Sequence, residues 1–265
     1  MSFSKRSHAS ARWPRSIRGD AEIGAAARQR SQAAGHKDPM AYADAFPAET
    51  ELMGASRLRA AAIATRACIH IRQLSCPQTV ELAQRMKPLL KPTQLTIEVT
   101  PHHLYLDRSA IEAQGVPAIM GPPLRTRRKQ PRCARRCGAI DIVCTDHAPH
   151  LIDEKLSGED DVWKCPPGTP GLETFLPSLL AAVHRGEMTL PELARVACEQ
   201  PARFFGLYPR KGAIRSDSDA DLGVIDPEAP WEVDPARFHT KARYSPFSGT
   251  LPGNVGHTLV RGQVV

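Results

Sequence analysis

Three short apolar segments of the sequence each run into polar, reactive side chains. The segments read CIHIRQLS (68–75), QLTIEVT (94–100) and AIDIVCT (139–145). The polar side chains within or just after them are Gln73, Ser75, Glu98, His102, His103, Asp146, His147 and His150. Stretches rich in helix formers separate the segments, and this alternation is typical of an α/β fold with parallel strands. Because the C-terminal strand ends of a (β/α) barrel form one face, the pattern predicts a single site built from these side chains.

The remaining patterns divide the chain into a barrel portion and a β-rich end. Helices are predicted at 47–67, 77–90, 174–186 and 190–207. After Lys211 the pattern changes to short β-like segments, at 221–226 and 257–265. We therefore predict a basic, disordered start (1–18), a barrel portion (19–208) and a C-terminal β segment (209–265).

The charge of the chain is concentrated in one segment. The net charge is +7, and RTRRKQPRCARR (125–136) alone carries seven Lys and Arg and no acid, so the rest of the chain sums to zero. Nucleic-acid binders spread basic residues over a face and interleave aromatic rings, which this segment lacks. The distribution therefore argues against a nucleic-acid partner.

Cysteine usage and hydropathy predict a cytoplasmic protein without a membrane partner. The seven cysteines are odd in number and scattered, which indicates reduced thiols rather than a disulfide framework. No segment approaches the roughly 20 apolar residues of a membrane span. The basic, Ser-rich start lacks the apolar core of a secretory signal, although its composition also fits a mitochondrial transit peptide.

Seven blocks of the sequence together resemble one known enzyme family. They are VTPHHLYLD (99–107), PPLR (122–125), IDIVCTDHAPH (140–150), PPGTPGLETFLPSLL (166–180), PARFFGL (201–207), DADLGVID (219–226) and YSPFSGTLPGNVGHTLVRGQVV (244–265). In this order they resemble the dihydroorotases, which are cyclic amidohydrolases related to hydantoinases and allantoinases. The resemblance covers residues 38–265 and is densest from residue 94 onward.

The resemblance implies a fold, a cofactor and roles for five residues. The family combines a (β/α)₈ barrel with a small β-sandwich, binds zinc, and interconverts dihydroorotate and carbamoyl-aspartate by breaking or forming a cyclic amide bond. By this resemblance Asp146 is a metal ligand and the general base, and Glu98 is a second candidate metal ligand. His150 corresponds to a residue that binds the substrate carboxylate. The backbone of Pro167 and Gly168 corresponds to a loop that contacts the substrate ring.

The sequence also departs from the family at the positions of metal ligands. The opening HxH motif has no counterpart, Asp20 aligns loosely with a histidine ligand, and Gln73 stands in place of another. Gly121 stands in place of an asparagine that binds substrate. A neutral amide is a poorer zinc ligand than imidazole. Besides serving as ligands, Glu98, His102 and His103 fit supporting or structural roles equally well. We expect His70 to be a core or barrel-wall histidine and Cys144 a small buried side chain.

We therefore expect an N-terminally truncated, diverged member of the family. The predicted fold is α/β, a partial TIM-type barrel (its C-terminal half) followed by a small β-sandwich-like segment. The predicted function is dihydroorotase-like hydrolysis of a small cyclic amide, weak or absent in this chain. The alternatives are a non-catalytic homologue that assembles with aspartate transcarbamoylase, and an allantoinase- or hydantoinase-like hydrolase.

Two further expectations concern the architecture of this chain. A half barrel leaves sheet edges open, which favours a homo-oligomer or another partner that closes it. The abrupt basic run at 125–136 between well-matched blocks, and the Arg- and Ser-rich start, suggest compensated frameshifts in the gene.

Overall fold

The computed structural model of the protein describes residues 20–90, 95–131 and 138–265. The predicted disordered start (1–18) lies outside the described residues, as does most of the second half of the basic run. Within the described ranges, no helix is both long enough and apolar enough to cross a membrane.

A parallel sheet forms the centre of the described structure. Its strands are β1 (Ile69–Ile71), β2 (Leu95–Val99) and β3 (Ile142–Val143), in the order β1–β2–β3. β1 pairs with β2 from Ile69 against Leu95, and β2 pairs with β3 from Glu98 against Ile142. The three segments predicted as strands therefore lie side by side and parallel, as expected of an α/β fold.

β3 is shorter than the predicted strand at 139–145, because a side chain replaces part of its ladder. The Asp141 carboxylate accepts a hydrogen bond from the backbone N–H of Ile97 at 2.8 Å, where a strand carbonyl would otherwise accept. The same carboxylate pairs with the Lys87 ammonium at 2.8 Å. Backbone pairing continues at Cys144, whose N–H donates to the carbonyl of Val99.

Helices surround the sheet and cover its apolar faces. In chain order they are α1 (Ala21–Ala33), α2 (Pro39–Ala45), α3 (Ala48–Thr65), α4 (Pro77–Met86), α5 (Pro101–Tyr105), α6 (Arg108–Gln114), α7 (Ile152–Leu156), α8 (Leu172–His184), α9 (Leu190–Ala194) and α10 (Gln200–Phe204). Ile71, Ile97 and Val99 of the sheet are completely buried, and they pack in one cluster with Val80 of α4 and Leu179 of α8. This burial of apolar surface against the sheet stabilises the fold and holds the strand ends in place.

The helix predicted at 190–207 is interrupted rather than continuous. Between α9 and α10 the backbone forms a π-helical segment, Arg195–Glu199. Pro201 at the start of α10 has no N–H to continue the α-helical hydrogen bonding. A π-helical turn absorbs such a break, because it shifts the bonding pattern by one residue.

The C-terminal β segment is a small antiparallel sheet that packs on α8. It consists of β4 (Leu222–Glu232), β5 (Thr250–Val260) and β6 (Gln263–Val264), in the order β4–β5–β6. β5 contacts α8 so closely that a Cβ atom on Gly253 would lie 2.5 Å from Cβ of Leu180. The described residues thus place a single separate sheet beside the barrel portion, on the side of α8.

Candidate active site at the strand ends

Glu98, near the end of β2, is buried and accepts hydrogen bonds from two neighbouring side chains. Nε2 of His70 lies 3.1 Å from Oε2 of Glu98, and Nε of Arg72 lies 3.4 Å from Oε1. Burial raises the pKa of Glu98, but the hydrogen bond from His70, assisted by Cys144 and Arg72, outweighs it and holds that pKa below its ordinary value. Glu98 is therefore an ionised carboxylate, and each of its oxygens already accepts a hydrogen bond.

Asp146 lies beyond the end of β3, close to Arg72, the cation that also contacts Glu98. Its backbone adopts a left-handed conformation with φ of 43°, which turns the chain at the strand end. Oδ1 of Asp146 lies 3.9 Å from Nη2 of Arg72, and the side chain is about one-fifth exposed. The Arg72 guanidinium therefore stands between the carboxylates of Glu98 and Asp146, the two residues expected to bind a metal.

Gln73 and Asp20 occupy the other two positions where the family resemblance implies metal ligands, and their surroundings do not form a metal site. Gln73 is buried with φ of 57°, and its Oε1 has no hydrogen-bond partner among the described residues. Asp20 caps α1 by accepting from the backbone N–H groups of Glu22 and Ile23, and it pairs with Arg57 at 2.7 Å. Within ranges 20–90, 95–131 and 138–265, no three His, Cys, Asp or Glu side chains form a group suited to a metal ion. The donor set of these residues does not fit zinc.

The loop at 145–150 and the loop at 166–171 interlock. The N–H of Ala148 donates to the carbonyl of Thr169 at 3.1 Å. A Cβ atom on Gly168 would lie 2.5 Å from the carbonyl oxygen of Ala148, and one on Gly171 would lie 2.8 Å from the carbonyl oxygen of Thr145. Glycine is therefore required at both positions for the two loops to approach this closely.

Two histidines predicted at the site, His147 and His150, have defined neighbours. Nδ1 of His147 accepts from the backbone N–H groups of Gly171 and Leu172, at 3.1 and 3.3 Å. His147 therefore supports the start of α8, and in its neutral form carries its proton on Nε2. His150 is about one-third exposed, with Nδ1 3.8 Å from Oε2 of Glu154. His150 and Gly168 lie together, since a Cβ atom on Gly168 would be 3.2 Å from Cδ2 of His150.

The buried side chain of Lys155 anchors the loop at 166–171. Nζ of Lys155 donates to the carbonyls of Ile119, Pro166 and Gly168 at 2.8, 2.9 and 3.2 Å. Its side chain is completely buried, and this burial lowers the pKa of the ammonium. Lys155 thus fixes the backbone of the loop that contains Pro167 and Gly168.

His102 and His103 form a structural pair behind the strand ends. Nε2 of His103 donates to the carbonyl of Pro122 at 2.9 Å, and Nδ1 lies 2.7 Å from Oγ1 of Thr100. Burial lowers the pKa of His103 to about 4, and burial together with the neighbouring His103 lowers that of His102 well below its ordinary value. Both rings are therefore neutral, and both ring nitrogens of His103 already have hydrogen-bond partners, which supports the structural alternative for His103.

A cavity of about 290 Å³ opens beside these loops. Pro167 and Gly121 are among its lining residues, and a Cβ atom on Gly121 would lie 3.4 Å from the Tyr42 hydroxyl and 3.9 Å from Cβ of Pro167. The position where the family resemblance implies an asparagine therefore borders open space.

Residues 7–265 match the Amidohydrolase family. The chain belongs to this family. The chain is 40% identical to a dihydroorotase from Methanothermobacter thermautotrophicus over 86% of its own length and 51% of that protein. It is 39% identical to a dihydroorotase from Halobacterium salinarum, and 33% identical to an L-hydantoinase from Paenarthrobacter aurescens, covering 52% and 53% of those proteins. The chain therefore spans about half the length of the curated relatives it matches.

The fold of this amidohydrolase chain also has close solved counterparts. An L-hydantoinase (dihydropyrimidinase) from Arthrobacter aurescens aligns with a TM-score of 0.89 at 32% identity, covering 94% of this chain and 56% of that one. A D-hydantoinase (dihydropyrimidinase) from Thermus sp. aligns with a TM-score of 0.87 at 31% identity, covering 93% and 55%. These alignments confirm the predicted fold class, a portion of a TIM-type barrel with a small β segment.

Sequence reasoning missed three residues that shape this amidohydrolase site. Arg72 was detectable, because strand alternation places it two residues after His70 on the same side of β1. Lys155 stands within a run of acidic residues that resembles an exposed helix face. Tyr244 is buried and donates from its hydroxyl to the carbonyl of Gly168 at 3.3 Å. Its only sequence signal is that it opens the matched block at 244–265.

Proposed function

We propose that the chain is a dihydroorotase-like member of its family that binds a small cyclic amide and turns it over weakly or not at all. One observation carries the substrate part of this proposal: the interlocked loops at 145–150 and 166–171 hold Asp146, His150 and the Pro167–Gly168 backbone in one place. The similarity to dihydroorotases at 40% and 39% identity favours dihydroorotate and carbamoyl-aspartate over other cyclic amides.

Asp146 is the candidate proton carrier in this proposal. In the ring-opening direction a water molecule attacks the amide carbonyl carbon, and Asp146 accepts a proton from it. As the ring C–N bond breaks, the same proton passes to the leaving nitrogen, so that the carboxylate is regenerated. His150 and the backbone of Gly168 hold the substrate in position during these steps.

The low expected turnover follows from the side chains around Glu98 and Asp146, which do not provide a set of metal ligands. Zinc would supply a polarised carbonyl and an activated water if it were bound. Arg72 instead engages both Glu98 and Asp146, and Gln73 offers a neutral amide oxygen. A guanidinium can pair with both carboxylates and offset part of their charge, but it cannot ionise a water molecule.

The test measures binding and turnover separately. Calorimetric titration with dihydroorotate is expected to show binding that His150→Gln weakens about tenfold. Assays in both reaction directions are expected to show little turnover, and any that remains should fall about 100-fold in Asp146→Asn but not in the matched exposed variant Asp153→Asn. Absence of binding would contradict the substrate assignment, and robust turnover would contradict the low-activity assignment.

A non-catalytic assembly role is the second candidate, and the position of Arg72 favours it. A site without a metal-binding donor set can persist because its fold still serves another subunit, such as aspartate transcarbamoylase. Co-expression and sedimentation of the two proteins test this candidate. Separate migration at micromolar concentrations would count against it.

A further inference from the structure

A second cavity, of about 150 Å³, is lined by the end of α2, the start of α3, one residue of α6 and the segment at 124–129. Four of its lining residues are apolar, and the polar ones are Asp44, Arg108, Arg125, Thr126 and Lys129. Among the described residues, Arg125 alone also lines the cavity bordered by Gly121 and Pro167. The second cavity is therefore a separate space, and its volume suits a small ion better than a ring compound.

Three of the polar side chains in this lining are cations, and one is a carboxylate. Nη2 of Arg108 pairs with Oδ1 of Asp44 at 2.5 Å. Nη2 of the buried Arg125 lies 3.9 Å from Oε2 of Glu51, which stands outside the lining. Lys129 forms no salt bridge with any residue that the structure describes. Even with Glu51 counted, three cations face two carboxylates, and the cavity keeps a positive charge.

The residues next to the cavity add to this positive charge. Arg127 and Arg128 share a short 3₁₀ turn with Lys129, whereas Glu49 interacts with the charge of Arg125. The surroundings thus supply two further cations for one further acid. A positive potential of this kind raises the local concentration of anions.

The two arginines of the lining are held in place, and one of them has an unused donor. The backbone N–H of Arg108 donates to the carbonyl of Arg125 at 3.1 Å, and Nε of Arg125 donates to the Ser75 hydroxyl at 2.9 Å. Nε of Arg108 is buried and has no hydrogen-bond partner within the described ranges. A buried donor without a protein acceptor normally bonds to a water molecule or an ion. Asp44 therefore does not use the full donor capacity of Arg108.

We propose that this cavity binds a phosphate group. Arg108 and Lys129 donate hydrogen bonds to its oxygens, the Thr126 hydroxyl adds a further donor, and Arg125 contributes a fixed positive charge. A doubly charged oxyanion is favoured over a singly charged one, because charge-assisted hydrogen bonds are the stronger ones. The phosphate is either a free ion or part of a molecule whose remainder stays outside the cavity. This inference does not depend on the proposed hydrolase function.

Calorimetric titration of the full chain with inorganic phosphate tests the proposal, with nitrate at the same ionic strength as the control anion. We expect saturable binding of one phosphate per chain, weakened by added salt, and no saturation by nitrate. Adenosine monophosphate distinguishes the two sources of the phosphate group. Affinity equal to that of inorganic phosphate means that the site accepts attached phosphates, and much weaker binding means that it takes the free ion. Binding of the nucleotide without binding of inorganic phosphate would overturn the proposal.

Two pairs of substitutions locate the phosphate site. Lys129→Gln should weaken phosphate binding about tenfold, whereas Arg128→Gln, at an exposed arginine of the same turn outside the lining, should have little effect.

Asp44→Asn should tighten phosphate binding, because it removes the carboxylate of the lining and frees Arg108, and Asp160→Asn, at an exposed position outside the lining, should not. Circular dichroism checks the folding of all four variants. No saturation by phosphate, equal effects of Lys129→Gln and Arg128→Gln, or weaker binding in Asp44→Asn would overturn the proposal.

Discussion

Arg72 places a positive charge between Glu98 and Asp146, the two carboxylates that the sequence suggested as metal ligands. A guanidinium satisfies carboxylates through directed N–H donors and stays charged at all physiological pH values. With Gln73 next to it, the end of β1 offers an amide in place of the expected histidine ligand, and both carboxylates are already close to Arg72. One guanidinium charge therefore faces two carboxylates at this site and offsets half of their negative charge.

The presence of Arg72 and Gln73 at this strand end predicts a low zinc content. After dialysis against zinc the chain should retain less than about 0.2 equivalents, because tight sites normally fill under such conditions. The double substitution Arg72→Ser with Gln73→His should raise zinc retention, since it frees both carboxylates and adds an imidazole. Elemental analysis measures the difference, and Arg85→Ser, an exposed arginine of α4, is the control for lost charge. Close to one zinc per unmodified chain would contradict the prediction.

Gly168 provides a second prediction at the level of a single residue. Its φ of 152° and the 2.5 Å approach of a Cβ atom to the carbonyl oxygen of Ala148 leave no room for a side chain. Gly168→Ala should lower the free energy of unfolding by about 2 kcal/mol. Gly223→Ala, whose Cβ atom would meet nothing within 4 Å, should change it by less than about 0.5 kcal/mol. Urea titration compares the two variants, and similar values for both would contradict the loop packing.

At the level of elements, α7 matters because it places Lys155 against the loop at 166–171. Lys155→Met keeps much of the side-chain volume but removes the ammonium that donates to the carbonyls of Ile119, Pro166 and Gly168. We expect a loss of about 3 kcal/mol in the free energy of unfolding, as is typical when one partner of a buried polar cluster is removed. Lys164→Met, at an exposed lysine, is the matched control in the same urea titration. A small effect of Lys155→Met would mean that the loop does not depend on this ammonium.

Element positions were more predictable from the sequence than the contacts between elements. The apolar runs at 68–75 and 139–145 contain β1 and β3, because buried strands require such runs. The left-handed backbone at Gln73 and Asp146 has no sequence signal, since neither residue is a glycine. The pairing of Arg72 with Glu98 depends on strand register between segments far apart in the chain, which single-segment patterns do not contain.

For the whole molecule, the buried histidines predict a loss of stability in mild acid. His103 has a pKa of about 4 when folded against 6.5 when exposed, so the unfolded chain binds more protons between these values. Lowering the pH through this interval therefore destabilises the fold, by about 3 kcal/mol for this group. His102, whose pKa is also lowered, acts in the same direction.

Urea titrations from pH 7 to pH 4 measure this dependence. His103→Gln should reduce the slope of unfolding free energy against pH, whatever its effect on stability at pH 7. His257→Gln removes an exposed ring from β5 and should leave the slope unchanged. Equal slopes for His103→Gln and the unmodified chain would contradict the assignment of His103 as a neutral buried ring.

The buried ammonium of Lys155 also has a consequence for the order of folding. Its carbonyl partners Ile119 and Gly168 stand 36 and 13 residues away along the chain, on opposite sides of it. Giving up water around a charge is favourable only when the replacement acceptors are already assembled. Closure of both intervening chain segments must therefore precede this dehydration, each at an entropic cost. The loop that contains Pro167 and Gly168 therefore completes its hydrogen bonds to Lys155 only once both segments have closed.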